Sequence, residues 1–136
     1  MDLMKSLMTS ASGMKAQSTR MRIIAENLAN ADSVAQQPGG QPYQRKIVTF
    51  RNELDRSSGT NVVAVDRVTE DQTPFGKRYE PGNPAADQTG YVQTPNVEPV
   101  LEIADMQEAQ RSYEANVNVI DAARSMMMRT IDLLKG

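Results

Sequence analysis

The sequence has no cysteine, no histidine and no tryptophan, and only four tyrosines and two phenylalanines. Without cysteine there is no disulfide, no thiolate zinc site and no thiol nucleophile. Without histidine the Ser–His systems and the usual neutral-pH base are gone as well. Lack of cysteine suits a reducing cytoplasm and equally an extracytoplasmic protein that avoids oxidative mispairing, so the compartment stays open. Neither sign of charge dominates. The 15 basic and 17 acidic residues are mixed along the chain for a net charge of −2, which leaves no electrostatic footprint for nucleic acid or an acidic membrane. No apolar run is long enough to span a bilayer, and the opening "MDLMKSLMTSASGMKAQSTR" lacks the continuous apolar stretch of a cleaved signal peptide, so neither membrane insertion nor Sec export is expected. There is no glycine-rich phosphate loop and no metal-ligand spacing. The acid pair Glu70–Asp71 lies in a polar stretch with no other catalytic group near it in sequence, so no catalytic, cofactor or metal site is expected.

What the chain does have is a pair of amphipathic ends. With few aromatics, its core must be aliphatic and methionine-rich, and all nine methionines lie in the terminal segments. In the first, residues 1–35, Leu7, Met14, Met21 and Leu28 recur every seven, flanked by Leu3, Met4, Ala11, Ile24 and Ala25, which predicts a helix to about residue 32. In the last, residues 96–136, Met106, Tyr113, Ile120, Met127 and Leu134 are again seven apart, with Ala109, Val117, Ala123 and Ile131 on the same face. Asn96 is the expected N-cap, with Pro99 in the first turn and Glu98 and Glu102 at the positive end of the helix dipole. An antiparallel pairing would set Leu28 near Met106 and Leu7 near Met127. Arg20 and Arg22 could then meet Glu108 and Glu114.

The middle, residues 36–95, is of another kind. It holds six of the seven prolines and six of the eight glycines. Short β-prone runs appear at 46–50, 61–65, 77–79 and 90–94, separated by turn clusters, while "RNELDRSSG" at 51–59 reads as a solvated turn. The expected fold is therefore α+β: two long terminal helices paired as an antiparallel, coiled-coil-like hairpin, with a small irregular β insert at one end.

Met126, Met127 and Met128 would fan over roughly 200° of a helix, more than one partner helix covers. Either they are flexible gap-fillers that lie partly exposed, or further subunits cover them. Asn27, Asn30, Asn116 and Asn118 sit on or beside the seams, where they could fix register between helices, and Asn30 suits a helix C-cap equally well. Gly13 costs a helix interior about 1 kcal/mol relative to alanine, so it marks either a close helix–helix approach or a local break. A polymer subunit needs apolar surface on several faces, whereas an adaptor gripping one partner, the rival reading, needs a single groove.

Four stretches carry a family resemblance. "SGMKAQSTRMRIIAENLANADS" at 12–33, which includes Asn27 and Asn30, resembles the N-terminal signature of bacterial flagellar rod and hook proteins, and "EANVNVIDAARSMMMRTIDLLK" at 114–135 is similar to their C-terminal helix. Between them, "PYQRKIVTF" at 42–50 and "YEPGNPAADQTGYVQTPNV" at 79–97 resemble the proximal-rod members. In that second stretch the pattern lies in Tyr79, Pro81, Gly82, Pro84, Asp87, Gly90, Tyr91, Pro95 and Asn96. The resemblance implies a structural subunit of the proximal rod that assembles helically and passes torque from motor to hook. It implies export through the flagellar type III apparatus and assembly in the periplasm. The implied partners are copies of the chain itself, the rod proteins FlgB and FliE, and distal rod subunits. The terminal helices would form the inner layer of a tube, with the β segment outside. Met127 would pack on the chain's own first helix, and Met126 and Met128 on neighbouring subunits.

Overall fold

The computed structural model describes residues 2–136. In chain order the elements are α1 (Leu3–Ala29), β1 (Lys46–Asp55), β2 (Thr60–Glu70), β3 (Gly76–Tyr79), β4 (Tyr91–Thr94) and α2 (Pro99–Lys135). The two helices and the β insert between them make the α+β class expected. The insert is two separate two-stranded sheets, β1 with β2 and β3 with β4. Among the described residues no helix is long and apolar enough to cross a membrane.

Local chemistry sets the helix ends. Asp2 caps α1: its Oδ1 accepts the Met4 N–H at 3.0 Å and its carbonyl accepts the Ser6 N–H. At the other end the Asn30 N–H and Nδ2 both donate to the Glu26 carbonyl, so Asn30 is the C-cap. The cap of α2 is not Asn96. Its first intrahelical bond runs from the Glu102 N–H to the Glu98 carbonyl, which makes Glu98 the cap and puts Pro99 at the first helical position, where its missing N–H costs nothing. The turn between β1 and β2 is also shorter than "RNELDRSSG" suggested, because Arg51–Asp55 complete β1.

The chain divides into two compact units, Met1–Met21 with Thr49–Arg67 and Gln107–Gly136, and Arg22–Val48 with Val68–Met106. In the first unit α1 and α2 run antiparallel, Gly13 facing Asn116 and Arg20 pairing with Glu108 at 3.4 Å. This register lies about one and a half turns from the expected one. It sets Leu7 opposite the region of Asp121, and α2 runs out of α1 residues to face by about Met127. Gly13 decides the offset: a Cβ there would lie 2.7 Å from Asn116 Nδ2, so the facing helix leaves no room for a side chain at this point. Helix α1 does not break there. Nor does the β segment sit only at one end. The Val63 N–H donates to Ser12 Oγ at 3.2 Å and Thr9 Oγ1 to the Asn61 carbonyl at 3.5 Å, so the β1–β2 strands lie along α1.

In the second unit β3 and β4 pair antiparallel, Gly76 with Thr94 and Tyr79 with Tyr91. Val92, Ala85 and Val97 are buried beside them.

Candidate assembly surface

The residues picked out by heptad spacing divide by size. Leu3, Leu7, Met14, Met21, Leu28, Met106, Tyr113, Val117, Ile120 and Met127 are all half-buried, and only Ile24 of the expected packing set on α1 is fully buried. The deepest positions on the helices of the first unit are small: Ser10 and Ala16 on α1, Ala109 and Ala123 on α2. Small side chains let the backbones come close, and the large residues are left along the flanks of the seam with part of each side chain uncovered.

At the end of α2 the cover is missing altogether. Met126 is 55% exposed, Met128 54%, Ile131 46%, and Leu133 and Leu134 82% each, whereas Met127 between them is half-buried. The start of α2 shows a second exposed apolar group, Val100, Leu101 and Ile103, which sequence periodicity did not single out. Burying one such side chain is worth about 1.5–3 kcal/mol, so these two ends hold most of the unused burial energy of α2.

The second unit is fastened by a polar latch that sequence reasoning missed. Glu102, expected at the positive end of the helix dipole, is 1% exposed. Its Oε1 accepts the Arg45 Nε–H, and the Arg45 guanidinium also pairs with Asp71 at 3.1 Å and Asp105 at 3.7 Å. The main chain is tied in as well. Asn96 Oδ1 accepts the Arg45 N–H at 2.7 Å, and Asn96 Nδ2 donates to the carbonyls of Asp71 and Thr73. Asn27, also 1% exposed, does not bridge the helices. It brackets Lys46, donating to its carbonyl at 2.9 Å and accepting its N–H at 3.0 Å, and its Oδ1 takes the Tyr43 hydroxyl at 2.8 Å. Arg22 pairs with Glu26 on its own helix and not with Glu114. Burial pushes the Tyr43 hydroxyl above its ordinary pKa against an opposing effect of Lys46, with Glu26 and Glu102 adding to the rise. The Thr73 N–H holds the Asp71 carboxyl below the usual carboxylate range, helped by Arg45 and opposed by burial. The one sequence signal for the latch was that Glu102 falls in the row of Ala109, Asn116 and Ala123.

The 79–97 stretch is likewise a built loop. Asp87 Oδ1 accepts the Thr89 and Tyr91 N–H groups and the Thr89 hydroxyl, at 2.6–3.0 Å. Gly90 has φ +86°, and a Cβ there would lie 2.8 Å from the Tyr79 ring, so this position is closed to other residues on two counts. Tyr79 and Tyr91 meet edge to face at 5.3 Å. Gly90 and Pro95 are buried, Pro81, Gly82, Pro84 and Asp87 are exposed, and Asn96 joins the latch. These residues position backbone; they do not converge on a reactive centre.

Comparison with known proteins matches both ends of the chain to one kind of assembly. The family described as flagella basal body rod protein matches residues 7–35, and the flagellar basal body rod FlgEFG protein C-terminal family matches residues 88–133. The FlgC flagellar basal-body rod protein of Agrobacterium fabrum is 52% identical over 125 residues, 92% of this chain and 90% of that protein. The FlgC of Salmonella typhimurium is 47% identical over 122 residues, 90% of each, and that of Bacillus subtilis 39% over 145 residues, 96% of this chain and 97% of that one. Matches that cover 90% or more of the chain span α1, the β insert and α2, and the chain belongs to the FlgC family of flagellar basal-body rod proteins.

Proposed function

We propose that this chain is a structural subunit of the proximal part of the flagellar rod, which assembles helically with other rod proteins and carries torque from motor to hook. One observation carries the reading beyond family membership: large apolar side chains are left uncovered on several sides of α2 and at both of its ends. A single-partner adaptor would need one groove, and the exposure here is not confined to one.

In this reading the terminal helices form an inner-layer domain and the β segment faces outward. Neighbours of the same chain, of FlgB, of FliE and of the distal rod cover Met126 and Met128. The subunit reaches the periplasm through the type III export apparatus without a cleaved signal peptide. The role needs shape and stiffness but no chemistry, and the latch supplies stiffness through charge-assisted bonds to Arg45. The test is the composition of isolated basal bodies. The chain is expected there in fixed stoichiometry with other rod proteins, and lost together with the rod when its gene is deleted. Intact rods in the deletion strain would overturn the reading.

A further inference from the structure

The β1–β2 sheet has two strands, and its two outer edges differ. On β2, the Val63 N–H donates to Ser12 Oγ and the Asn61 carbonyl accepts the Thr9 hydroxyl, so side chains of α1 cover that edge. On β1, hydrogen bonds at both ends of the strand show which residues face outward. The Arg45 carbonyl accepts the Asp71 N–H at 2.7 Å, and the Asp55 carbonyl accepts the Gly59 N–H at 2.8 Å. Odd-numbered residues therefore turn their main-chain groups toward β2 and even-numbered ones turn theirs away, because successive residues of a strand alternate. Lys46 agrees: its outward N–H and carbonyl are both met by Asn27. Further along, among the described residues, no hydrogen bond meets the outward main-chain groups of Phe50, Asn52 and Leu54.

Thr49 to Leu54 are also exposed on both faces of the strand, with Phe50 at 37% and Leu54 at 57%. This edge carries no proline, and its central charges are one of each sign, Arg51 and Glu53. An open edge of this kind is a template for another strand. The side chains select which one. Laid antiparallel on itself about Asn52, β1 sets Phe50 opposite Leu54 of the second copy, Arg51 opposite its Glu53, and Asn52 opposite its Asn52. Apolar pairs fall on one face and charge pairs on the other, and every outward main-chain group from Phe50 to Leu54 gains a partner. A slip of two residues either way puts Arg51 against Arg51 or Glu53 against Glu53. A slip of one sets outward groups against inward ones.

We infer that two unassembled copies join β1 to β1, antiparallel about a twofold axis at Asn52, into a four-stranded sheet. The contact uses the same patch on both copies, so it is isologous and closes on itself. It shields the open edge of the free chain and does not extend into a filament. It makes no use of α2 and does not depend on the rod-subunit reading.

The chain has no cysteine, so an introduced thiol can link only to a second copy. Directly opposite residues that exchange main-chain bonds have Cα atoms about 5.5 Å apart, within disulfide reach. Purified full-length chain is concentrated and oxidised. Asn52→Cys is expected to give linked dimer on its own. Phe50→Cys alone and Leu54→Cys alone are expected to give under about a tenth of that yield, and an equal mixture of the two to come within about twofold of it. Adding Asn52→Pro to both chains of the mixture removes an outward N–H that β2 does not use, so the strand keeps its place while the yield falls about tenfold. All three positions are exposed, and circular dichroism of each variant checks its fold. No link from Asn52→Cys overturns the inference, as does Phe50→Cys linking alone as well as the mixture does.

Discussion

The two compact units hold themselves together in different ways. The second is closed by directional bonds: Arg45 meets three carboxylates, Asn27 brackets one residue of main chain, and Asn96 ties two loops. Its deepest side chains include Glu102, Val92 and Asn27. The first is closed by proximity, with Gly13 facing Asn116 and small residues, Ser10, Ala16, Ala109 and Ala123, at the buried positions of its helices. A polar latch is specific, and it leaves one buried oxygen, Glu102 Oε2, without a donor. A small-residue seam brings backbones together but buries little area, so the large side chains at its flanks wait for other surfaces.

The largest effect expected from this contrast is in the free chain. Helical segments with little tertiary cover are marginal in water, so dilute monomer is expected to lack much of the helix counted in the 27-residue α1 and 37-residue α2. Amides after Met126 should exchange without protection, while those around Lys46 stay protected. Far-ultraviolet circular dichroism and hydrogen exchange on a sample shown to be monomeric measure this; full helicity there would break the comparison. Next in size is the latch. Arg45→Ala leaves Glu102 buried without its partner and is expected to cost about 3–5 kcal/mol in urea unfolding. Replacing the pair together, Arg45→Met with Glu102→Leu, should recover most of that loss, because the uncompensated charge goes with it.

Asn27→Ala comes third. It strands the N–H and carbonyl of Lys46 and the Tyr43 hydroxyl at a buried site, at about 2 kcal/mol. Smaller still is the seam itself. Gly13→Ala gains about 1 kcal/mol of helix propensity, but its Cβ would press on Asn116, whose Nδ2 donates to the Ser112 carbonyl at 3.0 Å. The substitution is therefore expected to be neutral or destabilising alone and stabilising by about 1 kcal/mol in an Asn116→Ala background. A double-mutant cycle measures the reversal of sign.

Periodicity made both helices legible and β-prone runs located the four strands, though Arg51–Asp55 of β1 read as turn, because each signal depends on neighbours in sequence. The helix register was not legible. Heptads of Leu7, Met14 and Met21 match heptads of Met106, Tyr113 and Ile120 at several offsets, and the large residues suggested one in which they would meet. The offset adopted is set by Gly13, a single missing side chain whose meaning depends on what faces it. The latch was illegible for a related reason. Glu102 and Asn27 look like ordinary surface positions until Arg45 and Lys46, far away in sequence, arrive beside them. The assembly surface was half legible: three adjacent methionines cannot share one partner, but nothing in the pattern marked Val100, Leu101 and Ile103 as exposed.

The smallest effect on the isolated chain is expected where the effect on assembly is greatest. Met126 and Met128 are each more than half exposed, so Met126→Glu or Met128→Glu removes little packing from the monomer and should change its unfolding free energy by under about 0.5 kcal/mol. Once neighbours cover these positions the carboxylate must be stripped of water, a penalty of several kcal/mol for each buried copy. Rod completion should therefore fail, leaving cells non-motile, although the purified variant keeps the latch and the β3–β4 pairing. The two measurements sharpen each other. A variant that unfolds would show that α2 needs these side chains for itself, and a stable variant that swims normally would place them against water in the finished rod.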